Sequence, residues 1–145
     1  MSNDSRKPGR WFSTRFRVRY AETDAAGIVH HSTYLVWFEE GRSELSREVG
    51  MPYAELDRQG VVLVLTRAEA RYRLAAHYDD EIEVKTRLEE VRSRTAVFGY
   101  RVLRAADGEL LAEGTTEHLA VSRESGRPMR LPEPFASAYR AAAGG

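Results

Sequence analysis

Residues 20–34 read YAETDAAGIVHHSTY and hold the densest run of chemistry-bearing side chains in the chain. Asp24 stands on a tight turn closed by Gly27, His30 and His31 follow, and a helix begins near Ser32. A helix start has unpaired N–H groups and the positive end of the helix dipole, which together stabilise a developing oxyanion. A carboxylate held just before such a start can activate water against a carbonyl carbon or attack it directly. Spacing alone leaves a second reading open, in which Asp24 only stabilises the turn.

The other common chemistries lack their residues. The chain contains no Gly-x-Ser-x-Gly elbow, no phosphate loop and no Gly-x-Gly-x-x-Gly fingerprint. It has no cysteine, which removes disulfides, thiolate nucleophiles and thiolate metal sites and fits a reducing cytoplasm. Of four histidines only His30 and His31 are adjacent, and neighbours on a regular element point apart, so no metal site is expected. Glu39 and Glu40 on the helix read as a solvated or interfacial face.

The elements that position this stretch are legible from periodicity. Phe16, Val18 and Tyr20 alternate with Arg15, Arg17 and Arg19 from Thr14 onward, the pattern of a half-buried strand that ends on Tyr20. Tyr34, Trp37, Phe38, Gly41, Leu45 and Val49 then recur at helical spacing, predicting one amphipathic helix over 33–49, with Ser32 as N-cap and Gly50 as its stop. Gly41 costs such a helix about 1 kcal/mol against Ala, which points to a close contact there. A loop with Pro52 and Gly60 leads to four strands over 61–74, 81–88, 95–104 and 109–121. The first begins as a buried run; Asp107-Gly108 marks a two-residue hairpin and Gly114 a bulge. A short terminal helix over 135–143 follows three prolines.

Strand, long helix and four antiparallel strands make an α+β domain with one helix to cover one sheet. The divisions are a lead-in over 1–12, one domain over 13–141 and a tail over 142–145. At 145 residues and 42% hydrophobic composition, one soluble domain with its own core is expected. Lys and Arg number 22, as do Asp and Glu, so the strong basic excess of a dedicated nucleic-acid binder is missing. The longest apolar run, Val61–Leu65, is far short of a membrane span, and no apolar signal core opens the chain, so a cytoplasmic protein is expected. Long strands with an open edge also invite pairing with a second copy.

Tyr20, Asp24, Gly27, Ile28-Val29, His30-His31 and Tyr34 together resemble the signature of the 4-hydroxybenzoyl-CoA thioesterase family of hotdog-fold proteins, especially its Tol-Pal-associated branch. The helix continuation Trp37-Phe38-Glu39 through Arg42 and Glu44 resembles the family too, as does Arg71-Tyr72 followed by Asp79-Asp80. Two positions depart from the pattern: His30 stands where an aromatic residue is usual, and Thr33 where Asn is common.

The resemblance implies a hotdog fold, a five-stranded antiparallel sheet wrapped around one long helix, and hydrolysis of an acyl-CoA thioester. It maps the acidic catalytic residue onto Asp24, as nucleophile or general base, and the carbonyl-polarising N–H onto His31. It adds the Tyr20 and His31 side chains as catalytic candidates, beside the readings of Tyr20 as a core aromatic and His31 as a cap. Gly27, His30 and Tyr34 are the substrate-binding candidates near the turn. Arg92 and Arg94, on a turn between two strands, are the candidates for coenzyme A phosphates, beside the reading of a solvated turn. No cofactor is implied beyond the coenzyme A of the substrate, and a homodimer, or a tetramer built from two dimers, is expected. The competing functions are a non-catalytic acyl-thioester-binding module and a thioesterase for acyl carrier protein.

Overall fold

The computed structural model describes residues 9–144. Five strands, β1 (Phe12–Arg17), β2 (Val61–Tyr72), β3 (Glu81–Val91), β4 (Thr95–Arg104) and β5 (Leu110–Ser122), form one sheet. The order is β1-β3-β4-β5-β2 and every pair is antiparallel, so β1 and β2 are the edges. The long helix α1 (Thr33–Glu48) packs across β1 and β3. Its inward residues Trp37, Phe38 and Leu45 are fully buried against Ile82, Val84, Phe98, Tyr100 and Val102. Side chains of this size contribute about 1.5–3 kcal/mol each on burial, so this stripe is the main reason the helix stays on the sheet.

Gly41 marks the closest approach of helix to sheet: a β-carbon there would collide with the Thr86 hydroxyl. That is the close contact its helical position called for. Gly50 stops the helix in the left-handed region at φ 79°, directly after the cap residue Val49. A short helix α3 (Phe135–Ala142) closes the far end, where the Tyr139 hydroxyl and Ser46 Oγ bond at 2.6 Å.

Several sequence expectations need correcting. Gly114 lies in regular register with Ala70; the register shifts fall at Leu65/Arg67, Leu88/Glu90 and Val102/Leu103. Gly114 instead leaves room for the Phe38 ring, which a β-carbon would strike. The Asp107-Gly108 hairpin forms, but Arg104 pairs with Glu109 across a four-residue loop, 105–108. The run opening β2 is buried only at its start: Val61 is in the core and Leu63 packs against it, but α1 packs mainly on β1 and β3 and leaves Val64 and Leu65 exposed. Helix α2 (Tyr53–Arg58) falls in the expected loop; at six residues with only Leu56 buried, it is too short to show a period. β1 begins at Phe12, and the first eight residues of the expected lead-in lie outside the described residues.

Candidate active site

The turn carrying Asp24 is a small closed structure. Thr23 and Val29 form a bridge, the Asp24 N–H donates to the Ile28 carbonyl at 2.8 Å, and the Gly27 N–H donates to the Asp24 carbonyl at 3.0 Å. Gly27 has φ 82°, a conformation that a side chain resists. Asp24 Oδ1 accepts from the N–H groups of Ala26 at 2.8 Å and Ile28 at 3.3 Å. Among the described residues nothing donates to Oδ2, and Asp24 is exposed. The carboxylate therefore stabilises its turn through one oxygen and presents the other. Both readings of Asp24 fit one geometry.

Glu22 ties this turn to the helix. Its Oε2 accepts from the Trp37 indole at 2.9 Å, its Oε1 from the Arg19 N–H at 2.7 Å, and its carbonyl from the His30 N–H at 2.9 Å. On the other side the Val29 N–H donates to the Ala76 carbonyl at 2.9 Å, and Ile28 bridges His77.

The helix start differs from expectation in its cap. Ser32 has helical backbone angles and makes no side-chain cap; its N–H donates to His30 Nδ1 at 3.2 Å. The Ser32 hydroxyl lies 2.7 Å from the same ring nitrogen, so His30 and Ser32 hold each other at the helix start. The N–H groups of Thr33, Tyr34 and Leu35 donate to the carbonyls of His30, His31 and Ser32. That leaves the His31 N–H, which has no partner among the described residues. The His30 and His31 rings stack at 4.3 Å rather than diverging, because the loop before the helix is not a regular element.

Behind this loop stands a wall of aromatics. Tyr34 is buried, edge-on to Trp37 at 4.8 Å and to Tyr72 at 5.1 Å, and the Tyr72 hydroxyl donates to the His31 carbonyl at 3.0 Å. Burial pushes the Tyr34 hydroxyl above its ordinary pKa, so it stays a phenol at neutral pH. Tyr20 is no core residue: it sits on a 3-10 turn, 77% exposed, edge-on to Tyr78 at 5.5 Å.

The structure thus brings Asp24, Gly27, His30, His31 and Tyr34 together through one turn and one helix start. It does not bring Arg92 and Arg94 to them. The turn is bound to the beginning of β3 through Val18–Asp80 and Ile28–His77, whereas Arg92 follows the end of β3. Eleven residues at roughly 3.3 Å each put the two ends about 35 Å apart.

A second polar feature escaped the sequence reading. Arg42, Tyr53, Leu56, Val61, Leu63 and His118 line a cleft of about 240 Å³ between α1 and the beginning of β2. His118 is buried, bonded to Thr116 Oγ1 at 2.9 Å, and Thr116 is bonded in turn to the Tyr100 hydroxyl at 2.5 Å. Burial and the nearby Arg42 charge push its pKa down to about 4, so it is neutral. Alternation along β5 places His118 inward with Thr116 and Ala120, and that was the available signal. Among the described residues no three His, Asp or Glu side chains are grouped to hold a metal ion.

Comparison with known proteins gives this geometry its family. The chain is 31% identical over 129 residues to the acyl-CoA thioesterase YbgC of Haemophilus influenzae, spanning 88% of this chain and 93% of that protein. The crystal structure of a DHNA-CoA thioesterase from Staphylococcus aureus superposes with a TM-score of 0.86 at 30% identity, covering 90% of this chain and 89% of that one. That of the hypothetical protein TT1821 from Thermus thermophilus gives 0.85 at 39% identity, covering 92% and 98%. The sheet and helix are those of the hotdog fold. Residues 18–139 match the model of the thioesterase-like superfamily, and the chain belongs to that superfamily.

Proposed function

We propose that the protein is an acyl-CoA thioesterase that hydrolyses its substrate to a free acid and coenzyme A, with Asp24 and the helix start as its catalytic pair. One observation carries this reading: among the described residues the His31 N–H has no partner just ahead of α1, and the Asp24 carboxylate, seven residues earlier, keeps one oxygen without a donor. The N–H and the helix dipole would stabilise the oxyanion as the thioester carbonyl becomes tetrahedral. Acting as base, Asp24 takes a proton from water while the water oxygen bonds to the carbonyl carbon. Collapse of the oxyanion breaks the C–S bond, and the thiolate leaves to be protonated. Acting as nucleophile, Asp24 bonds to the carbonyl carbon and expels the thiolate, and water opens the resulting mixed anhydride to the free acid and the Asp24 carboxylate. In a single turnover in ¹⁸O-water, label in Asp24 establishes the second route with water attacking the Asp24 carbonyl, whereas label confined to the acid is common to the base route and to opening at the acyl carbonyl.

The names of the relatives, among them YbgC and DHNA-CoA thioesterase, support this activity. The Tyr20–Asp24–His31 motif supports a place near the Tol-Pal-associated branch of the 4-hydroxybenzoyl-CoA thioesterase family. No cofactor beyond the substrate's own coenzyme A enters this scheme. His30 orders the helix start, Gly27 closes the turn, and Tyr34 backs the site.

The working unit in this reading is a homodimer joined through β2, with a tetramer formed from two such dimers. β2 is a long edge strand with Val64, Leu65 and Tyr72 exposed, next to Leu35 and Val36 exposed on α1. An open apolar edge of this kind favours pairing with a second copy. No described helix is long and apolar enough to cross a membrane, and the lack of cysteine supports a cytoplasmic site.

The test is thiol release from aliphatic and aromatic acyl-CoAs, with Asp24→Asn beside the wild type. Asn keeps an oxygen for the Ala26 and Ile28 N–H groups, so the variant is expected to fold and assemble normally. Turnover is expected to fall by about 100-fold or more, the scale of a lost general base. Binding of acyl-CoA by the wild type without turnover would establish the binding module instead.

A further inference from the structure

Among the described residues no side chain caps the start of α1, since Ser32 has helical angles and its hydroxyl takes no N–H of the first turn. The peptide that carries the His31 N–H must therefore be aimed by other bonds. The His30 N–H donates to the Glu22 carbonyl at 2.9 Å, which pins the peptide unit before it. The His30 carbonyl accepts from the Thr33 N–H at 3.0 Å. In a planar trans peptide the N–H points opposite to the carbonyl, so the His31 N–H faces away from the first turn. The His31 carbonyl belongs to the unit after it and accepts from the Tyr34 N–H only at 3.4 Å. Its closer partner is a side chain, the Tyr72 hydroxyl at 3.0 Å.

Everything about Tyr72 except that hydroxyl is fixed on the sheet. It ends β2, paired with Ala112 of β5, and the next two N–H groups, of Arg73 and Leu74, both donate to the Leu111 carbonyl at 2.7 and 3.1 Å. Its ring stands edge-on to the buried Tyr34 at 5.1 Å. The hydroxyl alone crosses to the loop ahead of α1, as a strut from the edge strand to the His31 peptide. Tyr72 is half exposed, so burial does not account for the bond. Phe at this position keeps the ladder and the ring contact and loses only the strut.

We propose that Tyr72 is a positioning residue for thioester hydrolysis: its hydroxyl holds the His31 carbonyl so that the neighbouring His31 N–H stays aimed at the developing oxyanion. This rests on the thioesterase reading above and extends its machinery from residues 20–34 to the end of β2. In this assignment Tyr72 touches no reacting atom and acts through the peptide it steadies. An oxyanion donor is effective because it is already in place when charge develops, and removing one outright costs about 100-fold to 1000-fold in kcat. A donor that is kept but loosely aimed costs less, and about tenfold is expected.

The experiment compares Tyr72→Phe with the wild type on one acyl-CoA at a fixed protomer concentration, beside urea unfolding, sedimentation velocity and amide–water exchange by NMR. kcat is expected to fall about tenfold with KM changed by about twofold or less, the split of an interaction that matters only in the transition state. The unfolding midpoint and the assembly are expected to match the wild type. The Thr33 and Tyr34 N–H groups are expected to exchange about threefold faster or more, with the middle of α1 unaltered. An unchanged kcat overturns the proposal. So does a KM that rises with kcat intact, because Tyr72 would then be holding substrate. A fall in kcat that tracks a loss of assembly, or that comes with unaltered exchange, overturns it too. If the wild type cleaves no thioester, the thioesterase reading fails, and the exchange alone decides the strut: faster exchange confined to the helix start sustains it, and unaltered exchange overturns it.

Discussion

Gly41 gives the sharpest test of how the helix is seated. Ala at this position should gain about 1 kcal/mol from helix propensity alone. Against that, its β-carbon would collide with the Thr86 hydroxyl and come within 3.0 Å of Val84 Cγ1. Both neighbours are fully buried, and overpacking a core of this kind costs about 1–3 kcal/mol. Gly41→Ala is therefore expected to be less stable than wild type by about 1 kcal/mol. The Thr86 hydroxyl is itself buried and has no hydrogen-bond partner among the described residues. Thr86→Ala removes that orphan group and also loses a packed methyl, two opposing effects of about 1 kcal/mol each, so the single change should be nearly neutral. In the double variant the new β-carbon enters the space left by the hydroxyl, and the propensity gain emerges as a stability about 1 kcal/mol above wild type. The coupling between the sites is then about 2 kcal/mol. Urea unfolding of the four proteins at one fixed protomer concentration measures it, since assembly also contributes to stability. A Gly41→Ala protein more stable than wild type, with coupling under about 0.5 kcal/mol, would refute the packing argument.

Two further outcomes are expected. His118, held neutral with its pKa near 4, takes up its proton more readily when unfolded, where the ordinary value is about 6.5. Stability contributed by this group is complete above pH 6.5 and is lost as pH falls toward 4, by about 2 kcal/mol at pH 5. His118→Gln should flatten the pH 6.5–5 limb of a denaturation series, and an unchanged limb would remove His118 as its cause. Leu65, 47% exposed on the open edge, should tolerate Lys without loss of fold. Leu65→Lys is nevertheless expected to weaken self-association by tenfold or more in sedimentation velocity; unaltered assembly would exclude β2 as the junction.

The fold was largely readable because its signals are local. The periodicity of Tyr34, Trp37, Phe38 and Leu45 found α1 to within a residue at its end, and alternation found all five strands. What escaped depended on partners remote in sequence. The Val61–Leu65 run looks like a core strand until the helix is seen to cover the other half of the sheet. Tyr20 fits the period of β1, but the chain leaves the sheet before reaching it. The turn around Asp24 was legible from Asp, Gly and the spacing to the helix; the two N–H groups on Oδ1 were not, nor was the His31 N–H that has no partner among the described residues.

Glu22 has a consequence for how such a protein can diversify. By holding the Arg19 N–H with one carboxylate oxygen and the Trp37 indole with the other, it bolts the Asp24 turn to α1 within a single continuous stretch, 19–37. The parts that would make and break bonds travel as one cassette. Substitutions outside that stretch, Tyr72 aside, can accumulate while the turn and the helix start keep their register, so the surroundings of the site can drift across descendants without the chemistry being reinvented.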